Sequence, residues 1–324
     1  MKLSFLGDVV LNKEYSVDLP LQDFIFNLEH PLSCEGIPAK NKVNKCEEGS
    51  YIEETFGKLP IAVNLANNHI ADYGNIAFEK TIEFLKNNKI AYFGAGNKKN
   101  NYNNPAYVSF EGKKIALLGY SCPTTSPVFG EEELNGSAPL DQEKVLNDIE
   151  SCHGNSDYII INLHWGDENV RYPKPDDIRK ARMLIDAGAD LIVGHHAHVI
   201  QSIEKYKGKY IFYGLGHFLF PYQDRPANYD GEKFQNIYSP KEEQANREGL
   251  VVDMDKDLNI VYFTIMFDGK RVKPYKANIP GWIPKTQKQY ELYLKFRQKQ
   301  KMVESFIKNP RFPTVEQIAR FIKQ

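Results

Sequence analysis

The sequence lacks several features that would commit a chain of 324 residues to a common class. Its four cysteines, Cys34, Cys46, Cys122 and Cys152, include no C-x-x-C pair, which removes the usual thiolate zinc sites and dithiol redox motifs. They read as reduced packing residues of a cytosolic protein. Charge of one sign is lacking as well: Lys+Arg 41 against Asp+Glu 42 gives a net charge of -1, so no overall field draws the chain to nucleic acid. Long hydrophobic runs are absent. The longest, IVYFTIMF from Ile260 to Phe267, falls far short of the roughly 20 residues that cross a bilayer. At the N-terminus Asp8 interrupts the apolar stretch and Asn12-Lys13-Glu14 ends it, leaving no signal-peptide core. With 42% hydrophobic residues and a mean hydropathy of -0.50, the expectation is a soluble, cytoplasmic protein with no membrane span and no nucleic-acid partner.

Short apolar runs alternate with helical patterns through the first two thirds. LSFLGD, FIFNLE, IAVNLANNH, IAYFGAG, DYIIINLHWG and ADLIVGHHAH read as buried strands. Between them Ile76, Phe78, Ile82 and Leu85 mark one helical face, and Ile178, Ala181, Leu184 and Ile185 another. This is the α/β signature. Three hairpins, turning at Glu111-Gly112-Lys113, at Lys207-Gly208 and around Asp255 to Asn259, make a mixed sheet system the expectation. Residues 221–247 read as a long polar loop or lid. The domain expectation is one body over residues 1–280 and a helical extension over 281–324. In the extension Leu292, Phe296, Val303 and Phe306 share a side, and Thr314 with Gln317 forms a capping box for a second helix.

Polar groups collect at the strand ends. Asp8, Glu29, Asn68 with His69, His164, and the trio His195, His196 and His198 each close a predicted strand. In an open α/β sheet ligands bind outside the carboxyl ends of strands, so these groups can meet. Each alone has a bland reading as a turn residue or a hydrogen-bonded core histidine; together they point to a metal site. Carboxylates and imidazoles without thiolates suit one or two divalent ions such as Mn, Zn or Fe. A Gly194 turn is expected to present the histidines outward.

The stretches GDVVL at 7–11, NLEHPLS at 27–33, NLANNHIADYG at 64–74, LHWGDENVRYPKP at 163–175 and the long block 184–220 carry a family resemblance. The chain resembles the CapA (poly-γ-glutamate capsule biosynthesis) family of the calcineurin-like metallophosphoesterase superfamily. The resemblance implies a four-layer α/β/β/α sandwich of two mixed sheets with C-terminal helices, built around a dinuclear metal centre. It implies Asp8, Glu29, Asn68, His164, His196 and His198 as ligands, with His195 as neighbour or substitute. His69 would face the leaving group, with Asp72 orienting its imidazole.

Two departures stand out. The superfamily's Asp-x-His reads Asp8-Val9-Val10 here, so one ligand is missing, and the usual Gly-Asn-Phe reads Gly216-His217-Phe218. His217 either supplies the lost imidazole or takes the asparagine's hydrogen-bonding place, the second being preferred. Lys42, Glu168 and Arg171 are candidate contacts for an anionic polymer or conjugate. The leading expectation is a metal-dependent hydrolase of capsule or cell-envelope polymer, cleaving a γ-glutamyl amide or a phosphoester. Its rival is a non-catalytic accessory subunit of a capsule polymer synthase, associated with other capsule-biosynthesis proteins.

Overall fold

The computed structural model describes residues 1–47, 51–222, 228–235 and 244–308. Residues 1–283 form one compact unit, and the chain from 284 onward forms another.

The first unit holds two large sheets. In chain order the principal strands are β1 (Leu3–Val9), β2 (Asp23–Leu28), β3 (Ala62–Asn64), β4 (Ala91–Phe93), β5 (Ala106–Phe110), β6 (Lys113–Ser121), β7 (Tyr158–His164) and β8 (Leu191–His195). They continue with β9 (Ile203–Tyr206), β10 (Lys209–Phe212), β11 (His217–Leu219), β12 (Glu248–Met254), β13 (Ile260–Phe267) and β14 (Arg271–Pro274). One sheet runs β14-β13-β12-β1-β2-β3-β4, with a short strand at Ser16–Val17 beside β14 and β11 beside β1; the other runs β9-β10-β8-β7-β6-β5. In the first, β1 to β4 are parallel and β12 to β14 antiparallel. In the second, β6, β7, β8 and β10 are parallel, with β5 and β9 as antiparallel edges. The sheets are mixed, as the three hairpins required.

Side-chain alternation sorts the core into layers. Phe24, Phe26, Leu28 and Val63 pack against the apolar face of helix α1 (Gly74–Asn87), formed by Phe78, Ile82 and Leu85. Ile76, assigned to that face from spacing, is exposed; Ala77 and Thr81 take part instead. On the other sheet Ile159, Ile161 and Leu163 meet helices α2 (Gln142–Cys152) and α3 (Pro175–Asp186) through Val145, Ile149, Ile178, Ala181 and Leu184. Between the sheets lie Phe5, Ile25, Phe93, Leu117, Ile160, Val193 and Phe212. The order is α/β/β/α. Each such buried side chain contributes about 1.5–3 kcal/mol of transfer free energy.

At the carboxyl ends the inward-facing positions turn polar. Asn27, Asn64, Asn162 and His164 occupy the inner register that Ile25, Ala62 and Ile160 begin. Simple alternation would turn Asp8 away from Phe5. A bulge corrects this: Phe5 pairs with Ile25 and Asp8 with Asn27, so three steps along β1 match two along β2. Asp8 therefore enters the space between the sheets, fully buried.

Gly194 is not a turn residue; it lies inside β8, where an added Cβ would sit 1.9 Å from the Tyr213 carbonyl oxygen. The reversal falls on His196 and His198, with φ of 81° and 56°. That left-handed backbone is uncommon for residues with side chains and clusters at functional sites. Gly194→Ala is expected to destabilise the fold by about 1–3 kcal/mol or more, since the obstacle is backbone. Urea unfolding measures this, and an unchanged midpoint would mean that the strand can yield.

Two sequence expectations need correction. Cys34 and Cys46 form a disulfide across a sequence separation of 12, while Cys122 and Cys152 are free and buried. Placing all four as reduced packing residues overlooked that the loop between Cys34 and Cys46 folds back to bring the Cα atoms within 5.2 Å. Residues 221–247 are not loop throughout: Asn228–Tyr229 pairs with Phe234–Gln235 and with Lys42–Val43. The second unit contains helix α4 (Gln287–Lys308), where Leu292, Phe296 and Val303 are exposed. Thr314 and Gln317 lie outside the described residues. No described helix is long and apolar enough to cross a membrane.

Candidate metal centre

The polar layer is built from behind the site forward. Asn27 Nδ2 donates to Asp8 Oδ1 at 2.9 Å, and Asn27 Oδ1 accepts from Asn64 and Asn67 at 3.1 and 3.2 Å. His195 places Nδ1 3.0 Å from Asp8 Oδ1 and Nε2 3.2 Å from Asn162 Oδ1. Both ring nitrogens are thus engaged. His195 braces Asp8, the neighbour role of the two that the sequence left open for it. Burial alone would raise Asp8, but the His195 hydrogen bond and the neighbouring imidazoles of His198 and His217 outweigh it and hold the carboxyl below its usual range.

The remaining donors face forward. His198 Nδ1 lies 3.8 Å from Asp8 Oδ2, and its Nε2 lies 3.8 Å from Glu29 Oε1. Glu29 Oε1 is buried without a hydrogen-bond partner. Beside this group Asn68 Oδ1 is 2.9 Å from His164 Nε2, which is 3.2 Å from His196 Nδ1. Donor atoms of Asp8, Glu29 and His198 fall within 4.8 Å of one another, as do those of Glu168, His196 and His198. The structure brings together all six residues expected as ligands, with His198 common to both groups.

The electrostatics suit a cation. Burial, reinforced by Asp8, raises Glu29 well above the usual carboxylate range. Burial pushes His164 and His198 well below 6.5 and His196 down to about 4. Neutral imidazoles are the ligating form, and an unsatisfied buried carboxylate oxygen beside them is costly unless something positive meets it. The donor set of carboxylates, imidazoles and one amide fits a divalent ion of the Mn, Zn or Fe kind.

His69 stands at the edge of this cluster, its Nε2 4.0 Å from Glu29 Oε1 and its Nδ1 2.6 Å from Asp72 Oδ2. Asp72 also pairs with Lys42 Nζ at 2.6 Å and accepts the Lys45 backbone N–H at 2.8 Å. Burial raises Asp72 to about 7 despite both lysines, and burial with Lys42 and Lys45 drives His69 well below 6.5. A neutral His69 with its Nδ1 proton on Asp72 presents an Nε2 lone pair.

His217 sets Nε2 2.7 Å from His198 Nδ1 and stacks on Phe220 with ring centroids 4.0 Å apart. Glu168 lies exposed at the mouth of a cavity of about 500 Å³ above the cluster, lined also by Lys42, Lys45, Asn68 and Thr124. Arg171 does not line that cavity; its guanidinium donates to the Asn278 carbonyl oxygen. Sequence reasoning missed Asn27, Asn67 and Lys45. Asn27 had a signal, because it shares Glu29's face in FNLE; Lys45 had none beyond following Lys42 by three.

The chain is 36% identical over 202 residues to "Capsule biosynthesis protein CapA" of Bacillus anthracis, covering 60% of this chain and 49% of that protein. It is 36% identical over 160 residues to "PGA biosynthesis protein CapA" of Bacillus subtilis (strain 168), covering 49% and 42%. A "Probable polyglutamine synthesis accessory protein" of Mycobacterium tuberculosis is 29% identical over 211 residues, covering 61% and 56%. The chain thus spans about half the length of the curated relatives it matches. Among solved structures, a 5'-nucleotidase precursor from Thermus thermophilus is similar with TM-score 0.43 and 14% identity, covering 82% of this chain and 53% of the other. The family model described as "Bacterial capsule synthesis protein PGA_cap" matches residues 2–222, every strand-end residue of the cluster among them. The chain belongs to the bacterial capsule synthesis family PGA_cap.

Proposed function

We propose that this protein is a divalent-metal-dependent hydrolase of capsule polyglutamate metabolism that cleaves a γ-glutamyl amide, with a phosphoester as the alternative bond. The convergence of six donor residues beneath a cavity edged by the His69–Asp72 pair carries this reading. When bound, ions held by Asp8, Glu29, Asn68, His164, His196 and His198 supply Lewis acidity and a nucleophile from water at neutral pH. The chain's own residues do the rest. Asp72 fixes the tautomer and orientation of His69, and His69 Nε2 takes up and returns a proton at the reacting group. His195 and Asn27 hold Asp8 in place. The Cys34–Cys46 bridge favours an oxidising compartment over the cytoplasm expected from the sequence. Metal analysis of the purified protein, followed by hydrolysis assays on poly-γ-glutamate and on phosphoesters, tests the proposal. A metal-loaded protein that releases no product from either class would leave it without support.

The accessory-subunit reading, with other capsule-biosynthesis proteins as partners, draws on one observation: Val10 stands where the superfamily carries a ligand histidine. Titration with Mn or Zn should accordingly show two unequal sites. His217→Asn should leave both ions bound and weaken one by about 10–100-fold, as the loss of a ligand's hydrogen-bond partner does. Disappearance of one ion altogether would instead make His217 the missing ligand.

A further inference from the structure

Two lysines reach the cavity, and the structure separates their roles. Lys42, the one singled out from sequence, is already neutralised by Asp72 at 2.6 Å. Lys45 is not. Its side chain is 8% exposed and lines the cavity, yet it makes no ion pair among the described residues; its ammonium group lies 3.9 Å from the centre of the Phe220 ring. A buried ammonium with only a ring beneath it is costly to a fold and is kept only where something else offsets the cost.

The backbone beneath Lys45 is held on two sides. Its own N–H donates to Asp72 Oδ2 at 2.8 Å, and the next residue, Cys46, is bridged to Cys34. Such an anchored, desolvated cation is pre-organised for an anion. Glu29, Asp72, Glu168 and Asp8 all lie near enough to be felt electrostatically, yet none forms an ion pair with Lys45. Asp72 is engaged by Lys42 and His69, Asp8 by His195, Glu29 faces the ligand histidines, and Glu168 lines the same cavity as an exposed carboxylate. We infer that Lys45 is the specificity residue of this pocket, pairing with a substrate carboxylate or phosphate beside the reacting bond. This inference rests on the cavity being the substrate site, as proposed above.

The test is calorimetric binding to the metal-loaded full chain, with a short poly-γ-glutamate oligomer and inorganic phosphate as separate probes. Metal content, melting temperature and hydrolysis are followed in parallel. Lys45→Met keeps the side chain's length and removes the charge. It should weaken binding of at least one probe tenfold or more, leave metal content unchanged and raise the melting temperature. Lys45→Arg should retain binding within about threefold, because the charge persists. Loss confined to the oligomer assigns a carboxylate; loss confined to phosphate assigns a phosphoryl group. Unchanged affinity for both probes, a wild type that binds neither, or a melting temperature that falls in Lys45→Met each overturns the inference. Lys45-dependent binding without hydrolysis would preserve the anion site while removing the hydrolase reading. Hydrolysis with an unchanged KM in Lys45→Met would do the reverse.

Discussion

His69→Asn should leave folding and metal content intact while lowering turnover on a verified substrate by about 10²–10⁴-fold, the usual size of a positioned acid or base. The expectation follows from where the ring is held. Its Nδ1 is committed to Asp72 at 2.6 Å, so Nε2 alone can exchange protons, and that atom lies 4.0 Å from Glu29 Oε1. Asparagine keeps a polar group of moderate size but cannot carry a proton. Burial and the two lysines favour the neutral ring, so His69 must accept a proton before donating one. Asp72→Asn should move in the same direction by removing the acceptor that fixes the tautomer, as carboxylate partners of catalytic histidines do. Full turnover in His69→Asn would remove the residue from the chemistry. If both His69→Asn and a ligand variant complemented a deletion strain, the accessory reading would replace the hydrolase.

The fold was legible where alternation was strict. In β2 and β7 hydrophobic residues face helices on one side and the opposite sheet on the other, and the sequence shows both faces as one continuous apolar run. The candidate ligands were legible because they end those runs. What escaped depended on contacts distant in sequence. The bulge that turns Asp8 inward is a register shift between β1 and β2, invisible in either alone. His195 looked equivalent to His196 in GHHAH, yet one is the last residue of β8 and the other begins the left-handed reversal. That single backbone change sends His195 back to Asp8 and Asn162 and His196 forward to His164. The placing of Arg171 outside the cavity has a similar cause: the Asn278 carbonyl to which it donates lies 107 residues away. The disulfide was excluded in advance by an assumed compartment, and spacing alone offered nothing against that assumption.

His198→Ala should be the most damaging single change to the metal centre. Its two ring nitrogens lie 3.8 Å from Asp8 and from Glu29, and it belongs to both donor groups. Removing it subtracts a donor from each group and leaves Glu29 Oε1, already without a hydrogen bond, facing a void. The loss of an outer partner costs about 10–100-fold in metal affinity, so loss of a donor should exceed about 10²-fold for the ion that His198 Nε2 would hold, its Nδ1 being 2.7 Å from His217. His196→Ala takes a donor from one group only and should deplete the ion that this group would hold, leaving the other. His195→Ala removes a brace and no donor, and should weaken binding less than either. Metal content after dialysis, measured for the three variants side by side, therefore has an expected order. Retention of both ions by His198→Ala would show that this residue holds neither. An order with His195→Ala lowest would move His195 from brace to ligand, against the two hydrogen bonds that occupy its ring.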